Sequence, residues 1–359
     1  MQTSQVPTVS PPVVGCISLE PWDEVWRRNQ HLAHQLVAQG LVERIVFIEP
    51  PVLGRRGRRF SPEAGIDVVR PLLPLPKRYG GLNACAALLR ATVLRGIHVL
   101  WVNDPQLGVH CMSRRPAVYD VTDDWRAFDN PPHIRKRIVA AEDRLVRSAH
   151  TVVCSLVLAD RWRARYAVDT PVVQNAVDVD AFAVAVPRTL LGEAPHIGYV
   201  GTLHESRLDL DLCVALARQV GTLHLVGPDS LEEDSRARLR AEPRVVMHGP
   251  VPSADVPSWM VSMDVLVCPH LVNEFTLSLD AIKAHEYAAS GRPVVATPSS
   301  GYQTGLTTAA LVEANTFVEA AREAVGTTPA SRAVASWAER AVEFVELLDE
   351  ARQESARLR

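Results

Sequence analysis

Short apolar runs alternate along this chain with longer stretches whose apolar positions return at helical spacing. The short runs predict buried strands and the longer stretches amphipathic helices. In the first half the strands are Val13 to Ser18, Arg44 to Glu49, Ile97 to Val102, Ala117 to Val121, Thr151 to Cys154 and Pro171 to Val173. The helices between them run from about Glu24 to Gln39, stopped by Gly40, then Leu82 to Leu94, His133 to Ala149 and Ser155 to Tyr166. A Pro-punctuated linker, roughly residues 183–194, precedes a second series. That series has strands at Ile197–Leu203, Leu223–Pro228, Arg244–Val251, Asp264–Cys268 and Val294–Ala296. Its helices are Asp209–Val220, Leu279–Ala289 and Asn315–Val325, and a long amphipathic helix follows from Arg332 to about Gln353. Alternation of strand and helix predicts parallel, doubly wound sheets. Three units are expected: 1–185, 190–328, and a terminal helix in 330–359.

Composition narrows the class. The chain has 359 residues, enough for two or three domains, with 47% hydrophobic and 22% charged residues. A net charge of -3 argues against a nucleic-acid partner. No apolar run approaches the ~20 residues of a membrane span. Residues 1–12 form a polar, Pro-rich tail without the pattern of a signal peptide, so a cytoplasmic location is expected. The six cysteines are scattered and read as buried thiols rather than metal ligands or a disulfide framework. Residues 52–81 read as a loop. Its cluster Arg55-Arg56 and Arg58-Arg59 is a solvated turn or a weak contact for acidic lipid headgroups.

Chemistry concentrates in a few loops. Ligands of doubly wound sheets bind beyond the carboxyl ends of the strands. Asn103-Asp104 and Asp123-Asp124 follow two such ends. Asp123 and Asp124 suit hydroxyl recognition or proton transfer, and equally suit helix capping. Gly201-Thr202 lies between a strand and a helix, where backbone N–H groups can meet a phosphate. Lys283 and Glu286 lie three apart on one predicted helix. They form either a surface pair or a binding element beside an apolar stripe.

The run Lys283-x-x-Glu286-Tyr287-x-Ala289-x-Gly291-x-Pro293-Val294-Val295 resembles the signature of GT-B glycosyltransferases. It is most similar to family four and to its bacterial relatives that build cell-surface polysaccharides of the teichuronic-acid type. Three further segments resemble the same group: Trp26–Leu32, Val118–Trp125, and Asn175-Ala176-Val177-Asp178 with Phe182, where Ala176 replaces the usual glycine. The resemblance implies two Rossmann-like domains facing a cleft, with a C-terminal helix crossing back to the first. It implies transfer of a sugar from a nucleotide-sugar to a hydroxyl acceptor, on a natural product or envelope glycan, with retained configuration and no cofactor or metal. Glu286 would bind ribose. Ser278 and Leu279 would meet diphosphate and sugar, although the family often has glutamate where Ser278 stands. Gly201, Thr202, Arg207 and Lys283 would hold the diphosphate, and Gly249 and Val251 the base. Arg28, His31, Asn103, Asp104, Asp123 and Asp124 would form the acceptor side. A nucleotide-sugar epimerase and a non-catalytic sugar-nucleotide-binding partner are the alternatives on this architecture.

Overall fold

The computed structural model describes residues 10–54, 57–113, 115–299, 301–302, 309–329 and 333–357. Among them the first strands are β1 (Val13–Ile17), β2 (Arg44–Ile48), β3 (Arg58–Glu63), β4 (Ile66–Arg70), β5 (Val99–Val102), β6 (Ala117–Val121) and β7 (His150–Val153). They form one sheet in the order β3-β4-β2-β1-β5-β6-β7. Only the β3–β4 pair is antiparallel. Helices α1 (Arg28–Ala38), α2 (Gly81–Ala91), α3 (Pro105–Cys111), α4 (Pro132–Val146) and α5 (Leu156–Tyr166) flank it, and the short α6 (Val179–Ala183) leads out.

The second set is β8 (His196–Val200), β9 (Leu203–His204), β10 (Thr222–Val226), β11 (Asp229–Ser230), β12 (Val245–Gly249), β13 (Val265–Cys268), β14 (Val294–Ala296) and β15 (Ala310–Leu311). Six of these make a parallel sheet in the order β12-β10-β8-β13-β14-β15, and β9 pairs with β11. Its helices are α7 (Leu210–Gln219), α8 (Glu233–Arg240), α9 (Val256–Val261), α10 (Glu274–Ser278), α11 (Ile282–Ala289) and α12 (Phe317–Ala324). The last helix, α13 (Trp337–Arg357), packs on the first unit against α1, β5 and β6.

The central strands are apolar on both sides because helices cover both faces of each sheet. Every residue of β1, β5 and β6 is buried. The strand order reverses beside β1, where Ile17 pairs with both Ile48 and Val102. In the second sheet it reverses beside β8, where Ile197 pairs with both Leu223 and Val265. These two switch points face one cleft. All six cysteines are free and buried. Among the described residues no helix is long and apolar enough to cross a membrane.

Three local expectations are corrected. The first helix begins at Arg28, not Glu24, because residues 18–27 are folded as a loop. Asp23 Oδ1 accepts from the Val25 amide at 3.0 Å, and Gln30 Oε1 accepts from the Arg27 amide at 3.1 Å. Part of residues 52–81 is the β3–β4 hairpin, turned at Gly65 with φ of +82°. Arg58, though exposed, is anchored on the buried Glu49, donating through Nε at 2.8 Å, while Arg59 makes only a distant contact with Asp67. Arg55 and Arg56 lie outside the described residues. Finally, Leu279–Ala289 is not one helix. Leu279 and Ala281 are extended between α10 and α11, since the first sheet's side holds that segment: Ser155 Oγ donates to the Ser278 carbonyl at 2.6 Å.

Candidate active site in the interdomain cleft

A cavity of about 370 Å³ opens between the two sheets. Loops beyond β1, β5 and β6 supply Glu20, Asn103, Thr122 and Asp123 to one wall. The other wall comes from the ends of β8 and β10 and from α11. Both walls therefore stand at the carboxyl ends of parallel strands, where backbone amides and helix N-termini point outward.

On the second wall, Lys283 donates to the Tyr199 hydroxyl at 2.6 Å and lies 3.4 Å from His270 Nε2. Its ammonium also sits 4.0 Å above the Tyr199 ring, a cation–π contact. Burial lowers its pKa to about 8, with Arg207 adding repulsion against the attraction of Cys268 and Glu286. Burial raises Glu286 to about 7, against the pull of Lys283 and His285. Among the described residues no ion pair joins Lys283 to Glu286, so the surface-pair reading fails. Both side chains are left facing the cavity.

Gly201 has a φ of +141°, and a Cβ there would lie 2.9 Å from Lys283 Nζ. Gly227 is as constrained, because its Cβ would stand 2.3 Å from the Gly201 carbonyl oxygen. Two glycines thus let the loop and the lysine close on one space. Thr202 and Val251 line the same cavity. The Arg207 guanidinium lies 5.0 Å from the Phe275 ring centre, and its Nε has no hydrogen-bond partner. His270 is held far below the ordinary histidine value by burial and then by Lys283 and Arg207, so it stays neutral.

On the first wall, burial raises the Asp123 pKa, countered by Arg207. Thr122 Oγ1 donates to Asp123 Oδ2 at 3.0 Å. Asn103 and Arg28 line the floor. Arg28 makes a two-point contact with Asp120, at 3.0 and 3.1 Å, and donates to Asn175 Oδ1 at 3.2 Å. Trp101 Nε1 donates to the same carboxylate at 3.1 Å. A buried, fully hydrogen-bonded pair of this kind fixes geometry more than it adds stability. The Asn175 amide and side chain in turn hold the Asp280 carboxylate and carbonyl, tying the first unit to the segment before α11.

Five expected site residues lie elsewhere. Asp124 turns away from the cavity, where it pairs with Arg161 at 2.8 Å and Arg165 at 3.5 Å. It also accepts from the Arg126 amide at 3.1 Å, as a turn-capping carboxylate does. Asp104 caps α3, accepting from the amides of Gln106 and Leu107. His31 stacks on Trp337 of the last helix at 4.8 Å and 3°, and burial lowers its pKa to about 3. Ser278 is buried, its hydroxyl donating to the Phe275 carbonyl at 2.7 Å. Gly249 lies behind the cavity, accepting from the Gly227 amide at 2.8 Å. Leu279, by contrast, lines the cavity. Sequence reasoning missed Glu20, Asn29, Thr122, Tyr199 and His270. Glu20 and Thr122 follow strand ends and could have been found by the carboxyl-end rule. His270 follows the strand that ends at Cys268 and carries the same signal, while Tyr199 lies inside a strand and carries none.

This arrangement of two sheets, a cleft and a returning helix is the GT-B fold. Residues 194–328 match the family described as "Glycosyl transferases group 1". The chain is 28% identical over 201 residues to glycosyltransferase TuaH of Bacillus subtilis (strain 168), provisionally assigned to teichuronic acid biosynthesis. That match covers 50% of each protein, so the chain spans about half the length of this curated relative. Sucrose-phosphate synthase of Thermosynechococcus elongatus is similar in structure, with a TM-score of 0.67 at 17% identity, over 97% of this chain and 98% of that one. WaaG, a glycosyltransferase involved in lipopolysaccharide biosynthesis, is also similar, with a TM-score of 0.65 at 13% identity, over 95% and 98%.

Proposed function

We propose that the protein is a glycosyltransferase that moves a sugar from a nucleotide-sugar to a hydroxyl acceptor, with residues 190–328 holding the donor and residues 1–185 the acceptor. The observation that carries this reading is the placement of Lys283 and Glu286. They are unpaired with one another and face the same cavity as Gly201, whose φ of +141° disfavours a side chain and whose backbone lies close to Lys283. A carboxylate one turn from a cation, beside a glycine turn, can take ribose hydroxyls and diphosphate together.

In this reading Glu286 accepts hydrogen bonds from the ribose. Lys283, Arg207 and the amides near Gly201 and Thr202 meet the negative charge that develops on the leaving diphosphate, a task that fixed dipoles and cations perform without a metal. Tyr199 and neutral His270 hold the lysine in place. Asp123 orients the acceptor hydroxyl and can take its proton. The likeness to family four favours retention of configuration, which requires no protein nucleophile.

The test is a panel of UDP-, GDP- and dTDP-sugars, followed by release of the nucleoside diphosphate, with binding measured by calorimetry. Slow release from one donor class and binding of its diphosphate are expected. Failure of every nucleotide to bind would reject the reading.

A further inference from the structure

Asn29, near the start of α1, is 4% exposed and lines the cavity on the acceptor wall. Its neighbours fix which way its amide points. The Leu19 amide can only donate, and it meets Asn103 Oδ1 at 3.3 Å. The Asn103 Nδ2 then donates to the Asp120 carbonyl at 3.2 Å and Thr122 Oγ1 at 3.3 Å. Asn29 must therefore turn its Nδ2 toward Asn103 Oδ1, at 2.9 Å, and Ser18 Oγ, at 3.0 Å. Its own Oδ1 is left buried with no hydrogen-bond partner. A carbonyl oxygen in that state calls for a hydrogen from a ligand.

The carboxylates of this wall have the same accepting character. Glu20 and Asp123 both line the cavity, and both are carboxylates that only accept when ionised. Burial raises the pKa of each, and Asp123 raises Glu20 further, though Arg27 counters in part. Of the cations beside them, Arg28 is bound to Asp120 and Asn175. Arg27 is bound to Asp23 at 3.0 Å and lies 3.6 Å from Glu20. Lys283 and Arg207 stand with the Gly201 loop, where the donor's diphosphate would use them, and Arg207 also lowers the pKa of both carboxylates. His204 and His270 are kept neutral by burial, His204 at about 4.

We propose that the acceptor unit entering this wall is an unphosphorylated sugar or similar polyol, which offers hydroxyl or amine hydrogens to Asn29 Oδ1, Glu20 and Asp123. This rests on the glycosyl-transfer reading and narrows its substrate class. A phosphate would bring more acceptor oxygens to a wall that already has a surplus. It would also add negative charge beside two carboxylates whose one unengaged cationic neighbour, Arg207, is taken up by the donor's diphosphate in this reading.

The test uses glucose, galactose and mannose with their 2-amino and 6-phosphate forms, titrated by ligand-observed NMR. Titrations are run with and without the nucleoside diphosphate that binds most tightly. At least one parent or amino sugar should bind ~10-fold or more tightly than its 6-phosphate. The double variant Glu20→Gln, Asp123→Asn should narrow that gap to about threefold or less while the nucleoside diphosphate affinity holds. Asn29→Leu should weaken the parent sugar without restoring the phosphate form. Equal or tighter binding of a 6-phosphate by the unmodified protein overturns the proposal. Failure of all nine sugars to bind does the same. Loss of nucleotide binding alone instead counts against the donor reading, and the sugar titrations without nucleotide still decide the acceptor class.

Discussion

Lys283 reaches across from α11 to the Tyr199 hydroxyl, 2.6 Å away on β8, rather than to Glu286 one turn along its own helix. That choice separates a cation and a carboxylate that would otherwise neutralise each other. It leaves both available to a ligand, at the cost of burying two charges that burial pushes toward neutrality.

The first prediction follows from the lysine. Its pKa near 8 means that the free site begins to lose its ammonium above that pH. A bound diphosphate stabilises the charged form, so the lysine's share of the affinity should be full below about pH 8 and fall as pH rises through that value. Tyr199→Phe removes the hydroxyl partner and should weaken diphosphate binding by about 1 kcal/mol. Calorimetry between pH 6.5 and 9.5, a range chosen to bracket about 8, measures both effects.

Glu286 gives a second prediction with the opposite slope. Its folded-state pKa of about 7 lies above the ordinary 4.5, so the apo protein gains stability from the neutral form. That contribution is whole below about pH 4.5 and disappears as pH rises through about 7. Ribose binding by the carboxylate should strengthen over the same rise. Glu286→Gln should flatten both profiles and lower nucleoside diphosphate affinity by roughly 1.5–3 kcal/mol. Thermal melts and calorimetry across this window test it, and unchanged affinity in the variant would falsify the ribose role.

The adjacent carboxylates Asp123 and Asp124 should separate cleanly. Asp124 is 2% exposed and paired with Arg161 and Arg165, which are 23% exposed, so its loss is discounted for solvent screening on the arginines. Asp124→Asn should cost about 1–3 kcal/mol of stability with little change in single-turnover rate. Asp123→Asn should slow turnover while melting and donor affinity hold. A matching loss of rate in both variants would show that Asp124 also reaches the substrate.

The returning helix supplies a fourth prediction. Phe344 is fully buried and packs 4.8 Å from Trp101 in β5. Phe344→Ala should destabilise the protein by about 3–5 kcal/mol, the cost of a large core cavity. Because the same helix carries Trp337 against His31, thermal denaturation should show the first unit melting earlier. A melt identical to that of the unmodified protein would mean the helix adds nothing to its stability.

Metal dependence gives the fifth. Turnover should survive a chelator, since Lys283, Arg207 and the glycine loop are positioned to meet the leaving charge. Loss of activity on chelation, with recovery on adding magnesium or manganese, would overturn that arrangement.

Much of this was written locally. The period of the apolar positions determined the alternation of strands and helices, because a buried parallel strand and an amphipathic helix each need a distinct spacing. The order of those elements determined two doubly wound sheets, the carboxyl-end rule placed Asp123 at the mouth of the first, and the glycine turn between strand and helix placed Gly201 at the mouth of the second. For Glu286 and Lys283 residue type and spacing left a surface pair and a binding element both open, and the likeness to the family signature pointed to the second. What only the tertiary structure decided was the direction of side chains whose partners are distant in sequence. Asp124 turns to Arg161, His31 to Trp337, and Ser278 is fixed by Ser155. Asn29 has a buried carbonyl oxygen without a partner only because Leu19 and Asn103 set its amide. Such choices depend on which buried donors and acceptors are satisfied once the chain has closed, and a linear pattern of apolar and polar residues does not contain that accounting.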